Sequence, residues 1–137
     1  MRRFLIISGL IVAYLLIVYF STVVRAQTPS VTLAVGEVYQ SSGFLCLTRA
    51  HAEQIVTAHT QGEAQGENIA NTFVAARVCG PFYAQTYVVL EIGRTENVLM
   101  DGQTHPLTLV VIASPNNREA QLFMLTISPV RRDQAAK

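Results

Sequence analysis

The sequence has few charged residues and no excess of either sign. Its 137 residues include 10 Lys and Arg against 9 Asp and Glu, and charged residues make up only 14% of the chain. A nucleic-acid-binding protein needs a basic excess, and a disordered chain has a low apolar content, whereas half of this chain is hydrophobic. The length also leaves no room for a two-domain enzyme with a cofactor fold. We therefore expect one folded domain that binds no nucleic acid.

Sequence motifs of common catalytic sites are also lacking. There is no Gly-X-Ser-X-Gly nucleophile elbow, and Gly62 with Gly66 has neither the preceding strand nor the following Lys of a phosphate-binding loop. Glu63 and Glu67 are four residues apart, but the helix dipole favours acidic residues in a first turn and explains both. The sequence therefore predicts no catalytic residue, no cofactor and no enzyme activity.

The three histidines do not match a metal-binding pattern. His51 and His59 are eight residues apart, which separates them by about 12 Å along a helix, whereas ligands on one helix are usually three or four residues apart. Nothing in the sequence places His105 beside either of them. We predict no metal site. A pocket that holds His51 or His59 together with a carboxylate would instead favour a small periplasmic hydrolase.

The longest apolar run lies near the amino terminus, between Arg3 and Arg25. As a helix, residues 4–24 would cover about 31 Å, close to the thickness of the hydrocarbon core of a bilayer. Val24 and Ala26 also suit the small-residue positions that precede a signal-peptide cleavage site. We therefore expect an N-terminal hydrophobic helix that is either a cleaved signal peptide or a retained transmembrane anchor.

Both alternatives predict the same topology. Arg2 and Arg3 favour a cytoplasmic amino terminus, so the chain after the apolar run is expected in the periplasm or elsewhere outside the cytoplasm. An uncleaved run would anchor the protein in the inner membrane through residues 4–24. The predicted organisation is a signal peptide or anchor at 1–26, an exported domain at 27–130 and a polar tail at 131–137.

Cys46 and Cys79 are the only cysteines in the chain. In an oxidising compartment, such a pair predicts a structural disulfide. Closing a loop of this length would contribute roughly 3.7 kcal/mol to stability on a chain-entropy treatment. A redox pair is expected at Cys-X-X-Cys spacing, which these residues do not have. Two free buried thiols are the remaining alternative.

Two helices are predicted between the cysteines. The first begins after Thr48, a favourable N-cap residue, and ends near Gly62. The second covers residues 63–78 and ends before Gly80. The apolar stripe of the first helix recurs at spacings of three and four residues and consists of Ala52, Ile55, Val56 and His59. The corresponding face of the second helix has Ile69, Ala70, Phe73, Ala76 and Arg77 on or beside it.

Alternating β-branched and aromatic residues predict strands after the helices. Segments 82–92, 107–113 and 121–128 are separated by turn residues and are expected to form a three-stranded antiparallel meander. A short strand at 31–39, ended by a break at 41–43, precedes the helices. The predicted fold class is therefore α+β, with two helices packed on a small antiparallel sheet.

The segment Cys46-Leu47-Thr48, the helix that follows it and the later Cys79-Gly80 resemble a pattern of small exported bacterial proteins of unknown function. In those proteins, a Cys-X-Thr cap starts a helix and a later Cys-Gly leads into strands. The resemblance implies a periplasmic domain with paired cysteines and brings no catalytic residues. This chain has a longer region after Cys79, for which we expect three strands rather than two.

The last two predicted strands are partly apolar on both faces. One face is expected to pack on the helices. The other is a candidate surface for a protein partner or a second copy, unless the segment near Val31 covers it. Its residues are Val110, Ile112, Leu122 and Met124. The sequence thus predicts an exported envelope accessory or interaction protein that acts by binding. The alternatives are a single-span accessory subunit of a membrane protein complex and a small periplasmic hydrolase.

Overall fold

The computed structural model describes residues 32–131. These residues belong to the second of the two units into which the chain divides, Val31–Lys137. The predicted signal peptide or anchor at 1–26 lies outside the described residues, as does the predicted tail beyond Arg131. Within the described part, no helix combines the length and the apolar character needed to cross a membrane.

The described residues form two helices and four strands. In chain order these are β1 (Val38–Cys46), α1 (Arg49–Gln61), α2 (Glu63–Ala75), β2 (Cys79–Met100), β3 (Gln103–Ser114) and β4 (Asn117–Thr126). All pairings between these strands are antiparallel. The predicted α+β class, with two helices packed on an antiparallel sheet, is confirmed.

Helix α1 begins and ends where the sequence predicts. The Thr48 hydroxyl oxygen accepts a hydrogen bond from the backbone N–H of His51 at 3.3 Å and caps the first turn. Gly62 follows the last residue, and its N–H donates to the carbonyl of His59. All four residues of the predicted stripe are buried: Ala52, Ile55, Val56 and His59.

Helix α2 is shorter than predicted. It ends at Ala75 rather than at residue 78, because Arg77 adopts a positive φ of 60° and the chain enters β2 at Cys79. Its core-facing residues are Ile69, Ala70 and Phe73, which pack against the apolar core. Ala76 and Arg77, which the sequence places beside the same face, are exposed.

Strand β1 occupies a different segment from the predicted first strand. It covers Val38–Cys46 instead of 31–39, and it runs through residues 41–43, where the sequence predicts a break. A register shift in its pairing with β2 absorbs these residues as a β-bulge. Ser42 stabilises the bulge, since its hydroxyl oxygen accepts from the N–H of Ala84 at 3.0 Å. Pairing therefore continues on both sides of the turn-forming residues.

The sheet contains all four strands, whereas the sequence predicts a three-stranded meander and a short strand before the helices. β1 pairs with both β2 and β4, and β3 pairs with the same two strands, so the order β1-β2-β3-β4 closes on itself. The 22 residues of β2 continue past the predicted end at Ile92. Register shifts between Val89 and Glu91 and between Ile92 and Thr95 allow this strand to bend from one partner to the next.

The closed sheet is buried on two sides. The first core lies between the sheet and the helices and contains Cys46, Ala52, Ile55, Val56, Cys79, Val98, Leu107, Leu109, Val111 and Leu125. The second core contains Leu33, Phe82, Tyr87, Val89, Val110, Ile112 and Met124. Successive residues of a strand point to opposite faces, so β3 supplies Leu109 and Val111 to the first core and Val110 and Ile112 to the second.

Cys46 and Cys79 form a disulfide, as the sequence predicts. They are paired directly across the end of β1 and the start of β2, and both are buried. Because α1 and α2 lie between the two cysteines in the chain, the bond closes the base of the helical segment.

Candidate functional site

An apolar pocket of about 300 Å³ lies where the two helices meet the strands. We call it the His59 pocket. It is lined by Phe44, Ile55, His59, Ala70, Met100, Leu107, Leu125, Thr126 and Ile127. Both helices and all four strands supply lining residues, so the complete fold is needed to form it. Ile127 is 47% exposed, which places part of the lining at the protein surface.

His59 is the only ionisable side chain among these lining residues. It is 8% exposed, and its Nδ1 atom has no hydrogen-bond partner among the described residues. Buried polar atoms are nearly always hydrogen-bonded, and leaving one unpaired costs about 1 to 3 kcal/mol. The lining of the pocket is thus mainly apolar, with the His59 imidazole and the Thr126 hydroxyl as its polar groups.

Gly66 on α2 allows His59 to take this position. A Cβ atom at residue 66 would overlap the His59 ring. Gly66 is itself buried, so the helix backbone lies directly against the imidazole. The first turn of α2 can approach α1 this closely only because residue 66 has no side chain.

Burial lowers the pKa of His59 below its ordinary value of 6.5, because the charged imidazolium is poorly solvated there. Glu67 and then Glu63 act in the opposite direction through their negative charges. Since burial has the larger effect, the folded protein holds His59 neutral at neutral pH. Glu63 also accepts a hydrogen bond from the backbone N–H of Asp101, which ties α2 to the turn between β2 and β3.

The structure does not bring the three histidines together. His51 shares a hydrogen bond of 2.8 Å between its Nδ1 and the hydroxyl of Thr48, and its ring packs edge-on against Phe73. His105 lies on β3, where it pairs with Val98 of β2. Across residues 32–131, no group of three or more His, Cys, Asp or Glu side chains is arranged to hold a metal ion. The His59 pocket has one histidine, and its lining residues include no carboxylate.

The four residues predicted as a partner surface lie in or against the second core. Val110, Ile112 and Met124 belong to the second core and are between 0% and 3% exposed, while Leu122 is partly buried against that core. Leu33 is buried in this core, and its N–H donates to the carbonyl of Pro129 at 2.8 Å. The segment close to Val31 thus packs on the sheet face that the sequence analysis names as a candidate surface for a partner.

Two other depressions are more polar than the His59 pocket, and some of their polar side chains are paired with each other or with neighbouring residues. One, of about 480 Å³, is lined by residues of α1 and α2 and by Arg94, whose guanidinium donates to Glu96 at 2.8 Å and to the hydroxyl of Thr57 at 3.1 Å. The other, of about 650 Å³, includes Thr108, whose hydroxyl bonds that of Thr95 at 2.8 Å. Neither offers a buried polar atom without a partner, so the His59 pocket is the stronger candidate.

Sequence reasoning places His59 in the apolar stripe of α1, which indicates burial, but it does not identify the pocket. The missing information is tertiary, because lining residues come from six separate elements. Comparison with protein families, with curated proteins and with solved structures finds no match to this chain.

Proposed function

We propose that the chain is an exported envelope protein that acts by binding, with the His59 pocket as its binding site. The observation that carries this proposal is the buried imidazole of His59 in the lining of an otherwise mainly apolar pocket. Ligand sites are commonly concave and apolar with a few polar groups that orient the ligand. The pocket has this composition.

Binding is favoured over hydrolysis by the chemistry of the lining. A nucleophilic or general-base mechanism needs a second reactive group beside the histidine. The Thr126 hydroxyl oxygen, the other polar side-chain atom of the lining, accepts a hydrogen bond from the N–H of Ser128 at 3.0 Å. His59 alone can orient a ligand, and orientation is what a binding protein requires of it.

Export is supported by the disulfide, since stable disulfides form in oxidising compartments. The test is the mass of protein purified from exporting cells without reductant and treated with an alkylating reagent. We expect no alkylated cysteine, and two alkylated thiols would contradict export. A chain that begins at Gln27 would indicate a processed periplasmic protein. An intact Met1 in the membrane fraction would instead favour the accessory subunit of a membrane complex.

The binding site is tested by filling it. Ala70 lines the pocket from α2, whereas Ala64 lies on the same helix and is exposed. We expect toluene to shift the methyl NMR signals of Ile55 and Leu107 in the wild-type protein and in Ala64→Leu, but not in Ala70→Leu. Equal shifts in the two variants would show that toluene binds elsewhere, and no shift in any protein would contradict a ligand site here.

A further inference from the structure

The state of His59 constrains what the pocket can bind. The ring is more than nine-tenths buried, and Nδ1 has no partner among the described residues. The cost of removing most of the ring from water is therefore already present in the free protein. A ligand that hydrogen-bonds to the ring gains the bond without causing that cost, which is the energetic benefit of a preorganised site.

The rest of the lining limits the size and polarity of the ligand. Its side chains are mostly apolar, among them Phe44, Ile55, Met100, Leu107 and Leu125. A volume of about 300 Å³ is at the lower end of the range for small-molecule sites. The matching ligand is a small and mainly apolar molecule, such as one with a single substituted ring.

The charges near His59 select against ionised ligands. Glu67 and Glu63 contribute negative potential at the imidazole, so a carboxylate on the ligand would be repelled. A cationic group would lose its hydration against the apolar lining. A hydroxyl is neutral and can both donate and accept, so it matches a neutral imidazole in either tautomer.

We propose that the His59 pocket takes a neutral, mainly apolar small molecule with one hydroxyl group that hydrogen-bonds to the His59 imidazole. This assignment rests on the proposed binding function and adds the chemical class of the ligand. It requires the hydroxyl, and not only the apolar body, to contribute to affinity.

The test compares three probes of one shape: 4-methylphenol, toluene and 4-methylbenzoate. NMR titration of the full chain, expressed in exporting cells, gives their dissociation constants. We expect 4-methylphenol to bind about tenfold more tightly than toluene, as one hydrogen bond to a desolvated partner provides. We expect 4-methylbenzoate to bind least tightly. The His59→Leu variant should bind 4-methylphenol and toluene equally.

A second measurement uses only the wild-type protein, so it tests the proposal even if the His59→Leu variant does not fold. The imidazole ¹⁵N signals of His59 in the wild-type protein should shift on addition of 4-methylphenol and remain unchanged on addition of toluene. Equal affinity of 4-methylphenol and toluene for the wild-type protein would overturn the role of the hydroxyl and leave the binding function intact. Absence of binding by all three probes would overturn both proposals, and tightest binding by 4-methylbenzoate would show that the ligand is an acid.

Discussion

The two helices have equal lengths but are attached to the domain in different ways. Each has 13 residues. Helix α1 buries five of them, namely Ala52, Ile55, Val56, Ala58 and His59, whereas α2 buries only Gly66. The apolar residues of α2 are half-buried or exposed. Helix α1 is thus part of the first core, and α2 acts as its partial cover.

Further contacts add to the apolar packing of Ile69, Ala70 and Phe73 that holds the cover in place. The Glu63 carboxylate accepts from the N–H of Asp101, and Gly66 lies against the ring of His59. The disulfide between Cys46 and Cys79 closes the segment that contains both helices. The comparison teaches that amphipathic patterning does not report how deeply a helix is buried. It also places the His59 pocket at the boundary between a deeply buried helix and a half-buried one.

Removing the disulfide should have the largest effect, because the bond constrains both helices. We expect Cys46→Ala combined with Cys79→Ala to lower the free energy of unfolding by about 3 to 4 kcal/mol, measured by urea denaturation. Wild-type protein treated with reductant is the control and should lose a similar amount. An unchanged denaturation midpoint in both samples would show that the sheet pairing alone holds the helical segment in place.

Matched substitutions then compare how much a buried side chain of each helix contributes to the free energy of unfolding. Ile55 on α1 is 2% exposed, and Ile69 on α2 is half-buried. We expect Ile55→Ala to cost about 3 kcal/mol and Ile69→Ala about 1 kcal/mol in the free energy of unfolding, since the cost grows with the buried apolar area of the deleted atoms and with the size of the resulting cavity. Both are measured by urea denaturation. Equal losses would mean that α2 is as firmly packed as α1.

The parts of the fold that the sequence predicts correctly depend on local interactions. The bounds of α1 follow from the Thr48 cap and the stop at Gly62, which are formed within a few residues. The burial of His59 follows from its place in the α1 stripe. The disulfide follows from there being two cysteines in a chain with an apolar amino-terminal run. None of these inferences needs the position of a distant strand.

The incorrect parts depend on distant pairing. Residues 41–43 look like a break, but pairing with β2 accommodates them as a bulge. Likewise, β2 continues past Gly93 because β3 pairs with it on both sides of that residue. The unpartnered Nδ1 of His59 requires the close approach of Gly66 and an apolar lining from six elements, so the candidate site could not be predicted from spacing alone.

Gly66→Ala tests the contact between the two helices. Alanine normally stabilises a helix relative to glycine by about 0.5 to 1 kcal/mol. Here its Cβ would overlap the His59 ring, so we expect a net loss of about 1 to 2 kcal/mol in the free energy of unfolding. In a His59→Ala background the obstacle is absent, and the same substitution should become stabilising. Stabilisation in both backgrounds would contradict the close contact between Gly66 and His59.

Acid should weaken the fold slightly through the buried histidine. Burial lowers the pKa of His59 in the folded protein below 6.5, so below that pH the unfolded chain binds a proton more readily than the folded one. The free energy of unfolding therefore decreases as the pH falls from about 7 to about 5, the range in which histidine titrates. Urea denaturation across this range measures the slope.

The pH dependence of the free energy of unfolding is due to His59 only if it is lost when His59 is replaced. His59→Gln should have a shallower pH dependence than the wild-type protein, because Gln does not titrate. His105→Gln is the matched control, since His105 lies half-exposed on β3 and is not part of the pocket, and it should keep the wild-type slope. If His59→Gln kept that slope as well, the weakening would come from other groups. The α1 face beneath Gly66 would then be open enough to water for the imidazole to be protonated without loss of stability.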